Sequence, residues 1–130
     1  SGQMGANQAM VILSAISDDG VHFKMEDGLR ANADASPHDC SVVWWKDQWH
    51  LFAHRRAQKG YHAVSSDGLT FRKLPAMTQP PGCQFIGNAL VADSETLRYY
   101  GARQGGTAGV WSGTSKDGAA WKVEPPSSLK

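Results

Sequence analysis

The sequence predicts an all-β chain of short antiparallel strands, and three observations carry that prediction. The element Ser-x-Asp-Gly-x-x-aromatic occurs three times, at Ser17–Phe23, Ser65–Phe71 and Ser115–Trp121, with its aspartates 48 and then 50 residues apart. The stretch Val43–Arg55 aligns without gaps on Val91–Arg103, again 48 residues apart, so two registers agree on one repeat. Five Trp and fourteen Gly in 130 residues suit strands broken by many turns, and no window of eleven keeps a helical period free of Gly or Pro.

Each element follows from local chemistry. Gly tolerates the left-handed backbone that a tight turn needs, while the Asp and Ser side chains beside it can cap nearby N–H groups. Asp19-Gly20, Asp67-Gly68 and Asp117-Gly118 therefore read as structural turns. Met10–Ile16, Tyr61–Val64 and Val110–Thr114 read as strands entering those turns. Phe23–Met25, Phe71–Leu74 and Trp121–Val123 read as strands leaving them, each opening on an aromatic anchor for the neighbouring unit. A second hairpin precedes two of these, formed by Ser41–Trp45 and Gln48–His54 around Lys46-Asp47. Its counterpart is Ala89–Ala92 and Thr96–Ala102 around Asp93-Ser94-Glu95. Alternation of Trp49, Leu51 and Ala53 with Gln48, His50 and Phe52 predicts a strand with two unlike faces.

Charge and composition exclude several function classes. Thirteen Lys+Arg against twelve Asp+Glu leave a formal net charge of +1, without the basic excess that nucleic acid or an anionic membrane would select. The longest apolar runs, such as Met10–Leu13, are far too short to span a bilayer as a helix. Ser1–Met4 has neither the basic nor the apolar region of a secretory signal, so residues 1–9 read as a tail, as do residues 125–130. Cys40 and Cys83 form no disulfide framework or metal-binding set, and two free buried thiols are expected, with a single bridge between them as the alternative. The spacing of His38, His54 and His62 matches no metal motif, and no cofactor is implied.

About four short strands in a repeat of roughly 50 residues is the arithmetic of a β-propeller blade. The Ser-x-Asp-Gly-x-x-Phe/Trp element resembles the Asp-box of sialidase-like propellers. It is similar also to the matching turn of five-bladed arabinanase- and invertase-type glycoside hydrolases. Pro37-His38-Asp39-Cys40-Ser41-Val42-Val43 resembles the His-Asp-Pro-Ser-Val opening of a blade in that group, with Cys40 where the proline usually sits. The resemblance covers residues 10–124 and implies a blade remnant at 10–25, a blade at 26–74 and another at 75–124. Closed propellers use about four to eight blades. The chain is therefore expected to be a partial propeller, completed by further copies or by the rest of a longer chain.

The resemblance also sorts the loops. Segments 26–39, 75–88, 54–60 and 103–109 are expected on the ligand-bearing face, and the Asp-Gly turns on the opposite one. On that face Asp39 is the leading candidate for a catalytic carboxylate, with capping of an inner strand as the alternative. Glycoside hydrolysis needs a second carboxyl group. The repeat-equivalent of Asp39 is Gly87, and Glu26, Asp27 and Asp34 are weak candidates. His38, His54, Arg55, Arg56, Arg103, Asn88 and Trp45 are candidate ligand-binding residues. Arginines clamp carboxylates bidentately and aromatics stack on sugar rings. A solvated rim of charge and inter-blade packing of the aromatics are the alternatives. Gly105-Gly106 has no strand-to-helix context for phosphate binding. The expected partner is a glycan or small sugar, bound by a glycosidase-like or a lectin-like, non-catalytic module.

Overall fold

The computed structural model describes residues 10–31, 37–55, 60–75, 77–104 and 109–125. It is all-β, antiparallel and, among the described residues, free of helix. Strands β1 (Ala15–Ile16) and β2 (Lys24–Met25) form a two-stranded sheet. Strands β3 (His38–Trp45), β4 (Gln48–His54), β5 (Gly60–Ser65) and β6 (Arg72–Lys73) form a four-stranded meander. Strands β7 (Cys83–Asp93), β8 (Thr96–Arg103), β9 (Val110–Ser115) and β10 (Lys122–Val123) form a second meander in the same order. No described helix is long and apolar enough to cross a membrane.

The three Ser-x-Asp-Gly turns fold alike. In each, the serine hydroxyl donates to the aspartate Oδ1, at 2.9, 2.9 and 3.1 Å for Ser17, Ser65 and Ser115. The glycine N–H donates to the same serine oxygen at 2.8–2.9 Å. The aspartate Oδ1 also accepts from the two N–H groups after the glycine, as with Leu69 and Thr70 at 2.9 Å. Gly20, Gly68 and Gly118 hold φ of 78°, 78° and 79°, a region that an L side chain enters at a cost. Backbone donors suit a carboxylate, and they hold Asp67 down at about 2 and Asp117 below its usual range. Asp19 is also held low, first by the His22 ring that donates to it at 2.7 Å.

The sheets stack through unlike faces of β4. Phe52 joins Trp45, Phe85, Leu97, Tyr99, Trp111 and Trp121 in a buried cluster between the two meanders. Leu51 and Ala53 join Ile12, Ala31, Tyr61 and Ala63 in a second cluster on the other face, against the β1–β2 sheet, with Phe71 packed beside it. The aromatic rings of the first cluster meet mostly edge to face, as Phe85 and Trp111 do at 5.4 Å, the arrangement that ring quadrupoles favour. Trp111 also donates its indole N–H to the Gln84 carbonyl at 2.8 Å.

Two buried histidines sit in this packing. His50 Nε2 lies 3.1 Å from the Trp45 carbonyl and His50 Nδ1 lies 3.0 Å from His62 Nε2. A carbonyl only accepts, so His50 carries its proton on Nε2 and His62 donates from Nε2 to the bare Nδ1 of His50. The His62 ring lies nearly parallel to Phe52 at 4.6 Å, and Gly118 of the third turn packs against it. Burial pushes His62 down to about 4 and His50 in the same direction.

Strand boundaries differ from expectation, and β3 begins at His38, not Ser41. Residues 83–88, expected as loop, extend β7 by pairing Cys83 with Arg103 and Gly87 with Gly101. The strand expected over Met10–Ile16 shortens to Ala15–Ile16 plus a single bridge from Ile12 to Ala31, since β1 pairs with β2 alone. Cys83 is a buried free thiol as expected, whereas Cys40 is an exposed one, lining the clefts on either side of Ile12.

Candidate functional site

Antiparallel pairing of β3 with β4 sets His38 opposite His54, at the end of the sheet away from the Lys46-Asp47 turn. The two imidazoles meet edge to face at 5.2 Å. Asp39 follows His38 with φ of 53°, within an irregularity of register between His38 and Ser41. Asp is among the residues that tolerate this region, because its short side chain can bond locally. Here the Nδ1–H of His38 donates to Asp39 Oδ2 at 2.8 Å. More than half of the Asp39 side chain is open to solvent. Beside it runs a cleft of about 500 Å³ lined by Met10, Val11, Pro37, His38, Asp39 and Cys40.

Electrostatics separates the members of this group. Burial pushes His54 down, the neighbouring His38 adds to that, and Asp39 opposes it. His54 Nδ1 and Arg55 Nε are buried with no protein partner among the described residues. Arg55 follows His54 directly, and its charge partly offsets the burial that raises the Tyr61 phenol. Arg103 ends β8 opposite Cys83, at the equivalent end of the other meander, where it opposes the burial that raises that thiol.

The remaining expected residues lie elsewhere. Trp45 closes β3 at its far end, 3% exposed, tilted against His50 and covered by the Lys46 ammonium at 4.5 Å from its ring. It is a core side chain. Asn88 is exposed on β7 opposite Tyr100, on the side of the sheet turned away from the buried cluster. Arg56, Asp34, Gly105 and Gly106 lie outside the described residues. Glu26 is engaged by the Ser14 hydroxyl at 2.8 Å. At Gly87, the repeat-equivalent of Asp39, a Cβ would run into the Tyr100 and Gly101 backbone, so β7 has no room there for a second carboxylate.

One residue was missed from sequence. Tyr99 is buried in the aromatic cluster, its hydroxyl has no protein partner among the described residues, and its phenol is raised by burial and by the nearby charges of Cys40 and Asp39. Alternation along β8 points Tyr99 inward, but only the packing of β7 and β3 brings it towards Asp39.

Among the described residues no three His, Cys, Asp or Glu side chains converge as metal ligands would. A second cleft, of about 440 Å³, lies between the two-stranded sheet and the first meander, lined by Ser14, Glu26, Arg30, Val42, Trp49 and Leu69 among others. No protein-family model and no curated protein matches this chain.

Proposed function

We propose that the chain is a segment of a β-propeller that binds a glycan at the end of its sheets where β3 begins and β4 stops. The observation that carries this reading is the His38–Asp39 pair, an exposed carboxylate and an imidazole lining a cleft, with the buried His54 ring packed edge to face against His38. Sugar hydroxyls both donate and accept, so they suit a carboxylate acceptor beside imidazole nitrogens. Arg55 adjoins the group, and Arg103 occupies the equivalent position of the next sheet.

The propeller reading is supported by the recurrence of one four-stranded meander and one turn along the chain. It accords with the resemblance of the Ser-x-Asp-Gly turns to Asp-boxes and of Pro37–Val43 to a blade opening in arabinanase- and invertase-type hydrolases. Binding is favoured over turnover. Hydrolysis needs two carboxyl groups roughly 5–9.5 Å apart. Asp39 bonds His38, and the equivalent position in the next sheet is closed to a side chain.

Calorimetric titration with a panel of neutral and acidic oligosaccharides tests the proposal, with product analysis on the same mixtures. Saturable binding by the wild type, weakened about tenfold or more in Asp39→Ala, is expected, as for a lost charged hydrogen bond. Binding that Asp39→Ala leaves unchanged, or none across the panel, would overturn it. Product formation that disappears in Asp39→Ala would transfer the group from binding to catalysis.

A further inference from the structure

We infer that the two ends of the sheet stack are the two halves of one interface, and that a second copy of this chain covers each of them head to tail. This rests on the stacked-sheet part of the reading above and not on the glycan. The chain makes the same junction twice within itself. At each, the aromatic that follows the Asp-Gly turn packs back on the preceding sheet: Phe71 against Ile12 and Ala31, and Trp121 against Phe52 and Trp45.

The third such aromatic packs on no sheet among the described residues. Phe23 is 64% exposed where Trp121 is 8% exposed. Directly paired residues share a face of a sheet. The pairing of Ala15 with Met25 therefore puts Leu13 and Met25 beside Phe23 on the free side of the two-stranded sheet, and both are more than half exposed. Gly20 has open space above it, whereas Gly118 meets His62 and Phe52 of the preceding sheet.

The opposite end carries the matching half. Inward-facing Leu97, Tyr99 and Trp111 leave Leu90, Arg98, Tyr100 and Val110 on the free side of the last sheet, where the three apolar members are exposed. A polar group there repeats one already used inside the chain. Ser14 donates to Glu26, Arg30 donates to Ser14, and Arg30 also reaches across to the Leu69 carbonyl in the turn of the next sheet. On the free end Ser112 donates to Glu124 at 3.0 Å, and Arg98 pairs with the same carboxylate. Ser14 and Ser112 occupy equivalent positions, as do Glu26 and Glu124, since Glu26 N–H bonds the Ser14 carbonyl and Glu124 N–H bonds that of Ser112. Arg98 is thus placed to reach the Val21 carbonyl of the copy that follows, as Arg30 reaches Leu69.

An interface of two unlike faces is heterologous, and it propagates to a ring or an open filament according to whether the rotation closes. The test is sedimentation equilibrium on the 130-residue chain, on Phe23→Asp and Tyr100→Asp, and on their mixture. The wild type is expected at twice the chain mass or more, each variant at the single-chain mass, and the mixture at twice that mass. The mixture recovers a pair because Phe23→Asp keeps the last sheet intact and Tyr100→Asp keeps the first. A monomeric wild type overturns the inference, as does a mixture that stays monomeric while both variants keep the wild-type circular dichroism. If either aspartate variant loses that spectrum, Leu13→Lys and Val110→Lys, at exposed positions on the same two faces, repeat the experiment with the same outcomes required.

Discussion

Acidification should unfold this protein through His62. The ring is buried between Phe52 and Gly118, its Nε2–H is committed to His50, and its Nδ1 has no protein partner among the described residues. A second proton would therefore sit on a nitrogen with nothing to receive it, and folding depresses the pKa from 6.5 to about 4. The unfolded chain takes up that proton first. The contribution is thus complete above pH 6.5 and is lost as pH falls towards 4. At about 1.4 kcal/mol per unit, the loss across that window is about 3 kcal/mol, a large share of the stability of a small domain. His50 and His54 are pushed the same way and steepen the decline. Urea unfolding followed by tryptophan fluorescence, at steps from pH 7.5 to 4.5, reads this directly. His62→Gln keeps a donor towards His50 but cannot titrate, so its profile should be clearly shallower than that of the wild type. A wild-type stability that stays flat between pH 6.5 and 4.5, or an equally steep His62→Gln, would refute the buried-histidine argument.

Two further predictions concern the turns. Gly118→Ala should cost about 2 kcal/mol or more by thermal denaturation, because the left-handed backbone is strained and the new Cβ would stand 2.8 Å from His62 Cε1. Gly20→Ala has the same φ and open space, so it should cost only the backbone strain of about 1–2 kcal/mol, and equal losses at the two sites would remove His62 from the account. Asp67→Ala strips a carboxylate that accepts from Ser65, Leu69 and Thr70, and should destabilise by about 1–2 kcal/mol at neutral pH, while a neutral outcome would deny the turn its structural role.

Much of the fold was legible because its punctuation is local. A Ser-x-Asp-Gly turn closes its bonds within six residues, so its sequence states its geometry, and the strands on either side follow from it. The site was partly legible for a similar reason. A seven-residue β4 running back along β3 must return His54 to His38. The same eight-residue β3 puts Trp45 at its other end, about 23 Å away at roughly 3.3 Å per residue, so aromatic character alone was a poor guide to a shared face. The His50–His62 bond and the approach of Tyr99 to Asp39 were hidden. The bond joins diagonal neighbours on β4 and β5, 12 residues apart, and the approach of Tyr99 depends on how the second meander packs against β3. The extension of β7 through residues 83–88 was hidden too, since Gly82 just before it and Gly87 within it read as loop.

The central claim is that the sheets of this chain form a repeating stack left unfinished at both ends. Hydroxyl-radical footprinting across a range of protein concentrations tests it most directly, read at Phe23 and Met25 on the free face of the first sheet, with buried Met77 as the internal reference. Protection of Phe23 and Met25 that grows with concentration, while Met77 stays unreactive throughout, is the predicted result. Reactivity of Phe23 and Met25 that remains at the level of free side chains at every concentration would contradict it.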